Sequence, residues 1–531
     1  MTPFRVVVAD KIAREGLGPL ASDARFEIVE RPGLKGEELA AAIADADAVL
    51  VRSATKITRE SLSRATKLKV IGRAGVGVDT IDVDAATERG IAVMNAPAGN
   101  TIAAAELAFA LLLARVRNVA AADRSMREGK WDRGALGGTE LYRKTLGLIG
   151  AGRIGSEVAR RAKAFEMRVL AYDPYLSEDA ARAMGIELAP LEQVLREADA
   201  VSLHVPLTDQ TRGILNAERL AMLKPGAILV NAARGGLVDE TALVEALKSG
   251  RIAGAALDVY EQEPLPADHP FRSLSSAVLT PHLGASTEEA QLNVAVEIAE
   301  AVRAALLEGD FSGAVNAPLV GGERLQRLRP LLDLATRLGR LASVLVDGAV
   351  TEVAIRYSGE GDDLLRPLAA GAVIGVLEGA LGAKGVNIVN AIHLARQRGI
   401  QVNRTRVEGG QGAGDLLEVR VATSSKAVTV AGTMLGEDHP RVVRIDDFRI
   451  NVEPRGVFLV LRNRDVPGVI GRVGTLLGNA GINIAEYHQA RLSAGGEALA
   501  AVCVDAPLPP PVIASLGAMA EVRSVAQVAF G

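Results

Sequence analysis

The sequence predicts two doubly wound parallel-sheet α/β domains followed by two smaller α+β units. Three observations predict it. Short apolar strand runs alternate with helical stretches between residues 4 and 280. A glycine loop joins one of these strands to a helix, and an acid closes the next strand. Past residue 318 the alternation stops and an internal repeat replaces it. At roughly 150 residues per domain, a chain of 531 residues holds three or four domains.

The first strand runs are Phe4–Ala9, Phe26–Val29, Ala48–Val51, Leu68–Ile71 and Ile91–Val93. Most are continuously apolar, as parallel strands covered on both faces must be. Asn95 to Asn100, with Pro97 and Gly99 inside it, interrupts the pattern and is expected to be a hinge. A long helix should start near Thr101, capped by Asn100 or Thr101. Its apolar stretch, Leu107 to Leu113, is flanked by Glu106 and Arg115 and is too short to span a bilayer.

A second alternation opens at Thr145–Gly150 and continues through Arg168–Tyr172, Ala200–His204, Ala227–Asn231, Ala253–Asp258 and Ala277–Thr280. Ser286-Thr287-Glu288-Glu289 reads as a capping box for a helix to about Leu307. That helix should return the chain to the first sheet. The first domain is then discontinuous, residues 1–98 with 285–318, and the second is 99–284.

In the last part, Val373-Ile374-Gly375, Leu381-Gly382, Gly385 and Asn387-Ile388 recur 96 residues later. The copies are Val469-Ile470-Gly471, Leu477-Gly478, Gly481 and Asn483-Ile484. Each copy reads as an apolar helix, a glycine turn and a strand opening on Asn-Ile. The two units are expected at 319–452 and 453–531.

Composition excludes several classes. Lys+Arg number 60 and Asp+Glu 64, a net charge of −4, and aromatics are 3%. That suits neither a polyanion binder nor a base-stacking surface, so no nucleic acid partner is expected. The one cysteine, Cys503, rules out an internal disulfide or a thiolate zinc cluster, and no metal is expected. The N-terminus opens as a strand without a signal-peptide pattern, so a cytoplasmic protein without a membrane partner is expected.

Gly150-Ala151-Gly152-Arg153-Ile154-Gly155 has the dinucleotide-binding spacing. Gly150 permits the tight turn, Gly152 a close approach of pyrophosphate, and Gly155 close helix–strand packing. Asp173, ending the next strand, would accept from the ribose hydroxyls and repel a 2′-phosphate, which favours NAD over NADP.

Arg234, Glu263 and His282 follow successive strand ends, where open α/β sheets place their ligands. Singly, each is better read as a surface arginine, a solvated glutamate or a satisfied histidine. Jointly they make one cleft. Its chemistry suits a 2-hydroxy acid. The arginine fork holds a carboxylate, the histidine removes a hydroxyl proton, and the glutamate orients the ring.

The sequence resembles the D-isomer-specific 2-hydroxyacid dehydrogenase family. The resemblance rests on Gly72 to Asp79, the glycine loop, Val230 to Gly236, Ala256 to Val259, Glu261 to Pro264 and Thr280 to Ala285. It implies a flavodoxin-like substrate domain and a Rossmann cofactor domain. It further resembles the family's long form, which implies oxidation of D-3-phosphoglycerate to 3-phosphohydroxypyruvate at the head of L-serine synthesis. By position, His282 is the acid/base, Glu263 its partner and Arg234 the catalytic and substrate arginine. Arg153, Ile154, Asp173, Ala232, Ala233, Asp258, His282 and Gly284 would line NAD. Asp258 would meet the nicotinamide carboxamide. Val205 stands where relatives often carry a threonine near the cofactor. Arg52, Ser53 and Arg73 are the phosphate candidates, and Ala74, Gly75, Val76 and Gly77 the backbone cradle for the carboxylate. Arg133, beside Trp131, would reach a neighbouring subunit's site.

Residues 455–531 resemble an ACT domain, expected as a small ββ-α-β amino-acid sensor. Asn463, Asp465 and Asn483 would take the effector L-serine at a paired interface. The preceding unit resembles the long form's intervening domain, with Lys384, Arg396 and Arg398 as anion candidates. A homotetramer is implied. Two other functions fit the same residues: another D-2-hydroxyacid dehydrogenase, for glyoxylate, hydroxypyruvate or 2-hydroxyglutarate, or a non-catalytic NAD(H)-sensing scaffold.

Overall fold

The computed structural model describes residues 2–318, 323–382, 385–407, 415–436 and 438–530. The first sheet contains Phe4–Val8 (β1), Phe26–Glu30 (β2), Ala48–Val51 (β3), Val70–Arg73 (β4) and Ala92–Asn95 (β5). All pairs are parallel and the order is β2-β1-β3-β4-β5, the flavodoxin-like winding. The order reverses between β1 and β3, so a crevice opens past their carboxyl ends, at Asp10 and Arg52.

The second sheet contains Thr145–Ile149 (β6), Arg168–Tyr172 (β7), Glu187–Leu188 (β8), Ala200–Leu203 (β9), Ile228–Asn231 (β10), Gly254–Leu257 (β11) and Ala277–Leu279 (β12). Its order is β12-β11-β10-β9-β6-β7-β8, again all parallel. Here the order reverses between β6 and β9. The two-residue β8 was not expected, because so short an edge strand leaves no apolar run in the sequence.

Two helices divide their loyalties as their apolar faces require. Thr101–Val116 buries Ala105, Ala108, Leu111 and Leu112 against the second sheet. Glu288–Glu308 buries Val294, Ile298, Val302 and Ala305 against the first. The Asn95–Asn100 crossing is gripped by Glu297, which accepts from Ala98 N and Gly99 N. Two capping expectations need correction. Asn100 holds the N-cap position of its helix but makes no side-chain cap bond. Thr287, not Ser286, caps the later helix, accepting from Ala290 N, so no glutamate stands three residues on to complete the box.

The third sheet contains Val350–Tyr357 (β13), Gln401–Arg406 (β14), Leu416–Thr423 (β15), Ala427–Leu435 (β16), His439–Ile445 (β17) and Phe448–Val452 (β18). The fourth contains Val457–Arg464 (β19), Ile484–Arg491 (β20), Glu497–Val504 (β21) and Val522–Ala529 (β22), in the order β20-β21-β19-β22. Helices follow β19 and β21, so this unit is β-α-β-β-α-β rather than the expected ββ-α-β. The third and fourth sheets are not independent. Phe458, Val460, Leu499 and Phe530 join Leu338, Val430 and Phe448 in one core.

The sequence repeat is half a structural repeat. Its second copy runs as expected from the Val469–Asn479 helix into β20. In the first copy Asn387-Ile388 is not a strand. Asn387 Oδ1 accepts from Val389 N and Asn390 N, which turns the chain into the Ala391–Gln397 helix instead. The Asn387 amide also donates to Gly90 O at 2.9 Å, and Val389 enters the first sheet's core. Local hydrogen bonding and docking onto a neighbour override the strand pattern.

Candidate active site

The glycine loop follows β6 at the second sheet's point of reversal. Gly150 has φ +92°, and a Cβ there would lie 2.6 Å from His204 O, at the end of β9. A Cβ on Gly155 would lie 2.2 Å from Gly150 O, so only glycine lets the Arg153–Ala164 helix start so near the strand. Around Gly152 there is open space, with nothing within 4 Å of an added Cβ. Open space before a helix whose first N–H groups lack intrahelical acceptors is a fitting seat for a pyrophosphate. Val205 packs against the Gly150 turn.

Asp173 ties this loop to the end of β7. Its Oδ2 accepts from Ala151 N and its Oδ1 from Tyr175 N, both at 2.9 Å. Two bonds leave a carboxylate with acceptor capacity for ribose hydroxyls.

His282, Glu263 and Arg234 converge across the cleft. His282 Nδ1 is 2.7 Å from Glu263 Oε2. Glu263 Oε1 accepts from Tyr260 N at 3.1 Å. The glutamate therefore fixes the neutral ring as the Nδ1–H tautomer, with the Nε2 lone pair as the base. The bond to Glu263 raises the His282 pKa above its ordinary value, against the opposing effect of burial. Burial pushes the Glu263 carboxyl up, but its bonds to His282 and to the Tyr260 amide leave it below the ordinary value.

His282 is held at φ +58° by Asp258, which is 0% exposed. Asp258 Oδ1 accepts from Leu283 N and Thr280 Oγ1, and Oδ2 from Gly284 N. The backbone oxygen of Asp258 takes His282 N. So Asp258 chiefly builds the turn that presents the histidine. Only Oδ2, with its single partner, has capacity for a carboxamide.

Arg234 follows β10 in a turn held by Asn231, whose amide donates to Arg234 O and whose Oδ1 accepts from Ala233 N; Ala232 lies between them. Its guanidinium crosses to the first sheet. Nε is 3.2 Å from Asp79 Oδ2, and a Cβ on Gly77 would lie 2.0 Å from Nη2. Gly77, the last residue of the expected Ala74–Gly77 cradle, thus lies directly against the arginine.

Arg73 and Arg52 stand at the crevice of the first sheet. Arg73 folds back, with Nη1 donating to Ala74 O at 2.6 Å, and its buried Nε finds no protein acceptor. Burial, then the nearby Arg234 and Arg52 charges, push its pKa down to about 10. Like charges this near disfavour the charged form of Arg73, an effect that Asp10 and Asp79 oppose. The Arg52 loop, with exposed Ser53, is shaped by buried Asp10, which accepts from Arg52 N, Thr55 N and Thr55 Oγ1.

Asp10 and Asp79 were not singled out from sequence as functional residues. Asp79 ends the Gly72–Asp79 stretch, but its partner Arg234 is 155 positions away. Arg133 and Trp131 are exposed on the segment before β6.

The expected effector residues do not form one cluster within the chain. Asn463 is 1% exposed, and its amide is used on Arg464 O. Asp465 accepts from Arg491 and Gly495 N, and the Arg491 bond lowers its pKa. Asn483 sits at the other end of β20, donating to Asp505 Oδ2 at 2.9 Å. An eight-residue strand separates the two ends, about 23 Å at the usual rise per residue. Asn483 and Asp465 therefore lie at opposite ends of β20 within one chain. Arg396 and Arg398 are exposed on and just after the Ala391–Gln397 helix, and Lys384 lies outside the described residues.

Two family models match the chain. One is the D-isomer specific 2-hydroxyacid dehydrogenase, NAD binding domain, over residues 109–284. The other is the D-3-phosphoglycerate dehydrogenase intervening domain, over 327–446. The chain is 41% identical over 524 residues to a D-3-phosphoglycerate dehydrogenase of Synechocystis sp., covering 98% of this chain and 94% of that one. It is also 41% identical over 525 residues to one of Methanocaldococcus jannaschii, covering 99% of both. Among solved structures, a glyoxylate reductase from Paecilomyes thermophila superposes with a TM-score of 0.55 at 32% identity. That match covers 59% of this chain and 99% of that one.

Proposed function

Because this chain belongs to the D-3-phosphoglycerate dehydrogenase family, we propose that its chemistry takes place where Arg234, Glu263 and His282 meet across the first two sheets. The chain is an NAD-dependent oxidoreductase that converts D-3-phosphoglycerate to 3-phosphohydroxypyruvate, the step that opens L-serine synthesis. The observation that carries the assignment of residues is the 2.7 Å His282–Glu263 pair facing an arginine that already lies on Gly77.

Arg234 takes the substrate carboxylate over the Ala74–Gly77 backbone. His282 Nε2 removes the C2 hydroxyl proton, and Glu263 stabilises the imidazolium that results. Arg52, Ser53 and Arg73 receive the phosphate, whose negative charge relieves the repulsion among the three arginines. NAD, when bound, supplies the hydride acceptor. Gly150, Gly152, Arg153, Ile154 and Gly155 would hold its pyrophosphate and Asp173 its adenosine ribose. Ala232, Ala233, Asp258 and Gly284 would line the nicotinamide end. Closure about the 95–100 crossing and Gly284 excludes water.

The catalytic half is then residues 1–98 with 285–318 and 99–284, followed by an intervening unit (319–452) and an ACT unit (453–531). Asp173→Ala is expected to weaken NAD binding and relax discrimination against NADP. The ratio of kcat/KM for the two cofactors measures this, and an unchanged ratio contradicts the role.

The fourth sheet is read as an effector module for L-serine acting between two copies of a homotetramer, with Asp465 from one copy and Asn483 from the other. Asn483→Ala should blunt inhibition by L-serine in a steady-state assay, and equal inhibition of variant and parent removes the sensor role. No helix among the described residues is long and apolar enough to cross a membrane. A cytoplasmic location is proposed from the glycolytic substrate.

A further inference from the structure

The loop that carries Glu263 is held from behind by a second carboxylate–imidazole pair. Asp239 caps the Glu240–Lys248 helix by accepting from Ala242 N, which sets Glu240 in the first turn. Glu240 Oε1 accepts the Glu261 N–H at 2.8 Å, and Oε2 is 3.2 Å from His269 Nε2. The two side chains are only 15% and 19% exposed. On the far side of the ring, His269 Nδ1 accepts the Phe271 N–H at 3.3 Å. A nitrogen that accepts carries no proton, so Nε2 bears the hydrogen and donates to Glu240.

The gripped segment serves both catalytic loops. Tyr260 N–H binds Glu263 Oε1, and the single hydroxyl hydrogen of Tyr260 is shared between Leu257 O at 3.1 Å and Thr280 O at 3.0 Å. A Cβ on Gly235 would lie 1.9 Å from Tyr260 O and 2.8 Å from Glu261 N. The Arg234 loop therefore packs backbone to backbone on Tyr260 and Glu261. Glu240 fastens this shared seat to the Glu240–Lys248 helix, beside the anchor that the buried Tyr260 ring and hydroxyl provide.

We propose that Glu240 is a positioning residue for the Glu263–His282 pair, acting through the Glu261 amide to fix where Glu263 meets His282 Nδ1. The proposal rests on the catalytic assignment above and extends it to a residue that touches neither substrate nor cofactor. The ionisable groups facing Glu240 are Glu261 and His269, and those facing Glu263 are His282 and Arg234. His282 in turn faces Glu263, Asp258 and Arg234. Loosening the seat moves Glu263 off His282 and removes the interaction that keeps the imidazole more basic than usual.

The test is the pH profile of kcat/KM for D-3-phosphoglycerate oxidation in the full chain, with Glu263→Gln as reference. Glu240→Ala should lower kcat/KM between about tenfold and about a hundredfold, the loss expected when a catalytic group is misplaced by an ångström. Its acid limb should move down toward the ordinary imidazole value of about 6.5, in the direction taken by Glu263→Gln. The NAD dissociation constant should hold. Glu240→Gln, which keeps an oxygen for the Glu261 amide, should recover most of the rate. If Glu240→Ala does not fold, Glu240→Asp must show the same shift, since it keeps the charge but withdraws the oxygen. A parental limb and rate in the Glu240 variants, beside a shifted Glu263→Gln, overturns the proposal and leaves the catalytic pair standing. An unmoved limb in both overturns the Glu263 assignment with it.

Discussion

Replacing His282 by alanine is expected to lower kcat by about 10²- to 10⁴-fold, the usual worth of a positioned general base. NAD affinity should change less than turnover, because the proposed pyrophosphate and ribose contacts are with the glycine loop and Asp173, while His282 meets only the nicotinamide end. The geometry explains the size of the effect. A left-handed backbone at φ +58°, anchored on Asp258, points the ring into the cleft, and Glu263 fixes its tautomer at 2.7 Å. The pH dependence has a definite sign. Oxidation needs the neutral imidazole, and the bond to Glu263 raises the pKa of His282. The acid limb of kcat/KM therefore lies above the ordinary imidazole value of about 6.5, and activity is lost as pH falls through it. Glu263→Gln moves that limb down. Near-parental turnover in His282→Ala contradicts the assignment.

Arg234→Ala is the second large effect. A bidentate carboxylate contact consists of two charge-assisted hydrogen bonds of about 1.5–3 kcal/mol each, so kcat/KM should fall by about 10²- to 10⁴-fold. Arg234→Lys should restore only a fraction, since an ammonium has no fork. The loss should be similar for phosphorylated and unphosphorylated hydroxy acids, because both carry the carboxylate. Arg52→Ala should instead penalise the phosphorylated substrate alone. Asp79 contributes less. Its side chain is 62% exposed, and a pair so exposed is worth under about 1 kcal/mol. A selective loss for phosphorylated acids in Arg234→Ala would move the arginine from the carboxylate to the phosphate.

Much of the catalytic half is legible in sequence because its signals are local. The strands of the first two sheets are continuous apolar runs. Gly150 and Gly155 are glycines because their Cβ atoms would strike His204 O and Gly150 O. Arg234, Glu263 and His282 stand just past strand ends, where the winding of an open sheet places ligands. What the sequence hides is pairing at a distance. Asp10 shapes the Arg52 loop from 42 residues away, and Asp79 meets Arg234 across 155. Neither separation leaves a pattern along the chain. The regulatory half is harder to read for another reason. Asn387-Ile388 and Asn483-Ile484 are the same dipeptide in the same frame, yet one caps a turn on Gly90 and the other opens β20. The difference lies in what each copy packs against.

Three arginines and one histidine around this cleft are proposed to act on a phosphorylated 2-hydroxy acid. The most direct test follows NADH absorbance with NAD and either D-3-phosphoglycerate or D-glycerate, its unphosphorylated counterpart. NADH formation from D-3-phosphoglycerate, with kcat/KM far above that for D-glycerate, is the predicted result. Equal efficiency with the two acids, or no NADH from the phosphorylated one, contradicts it.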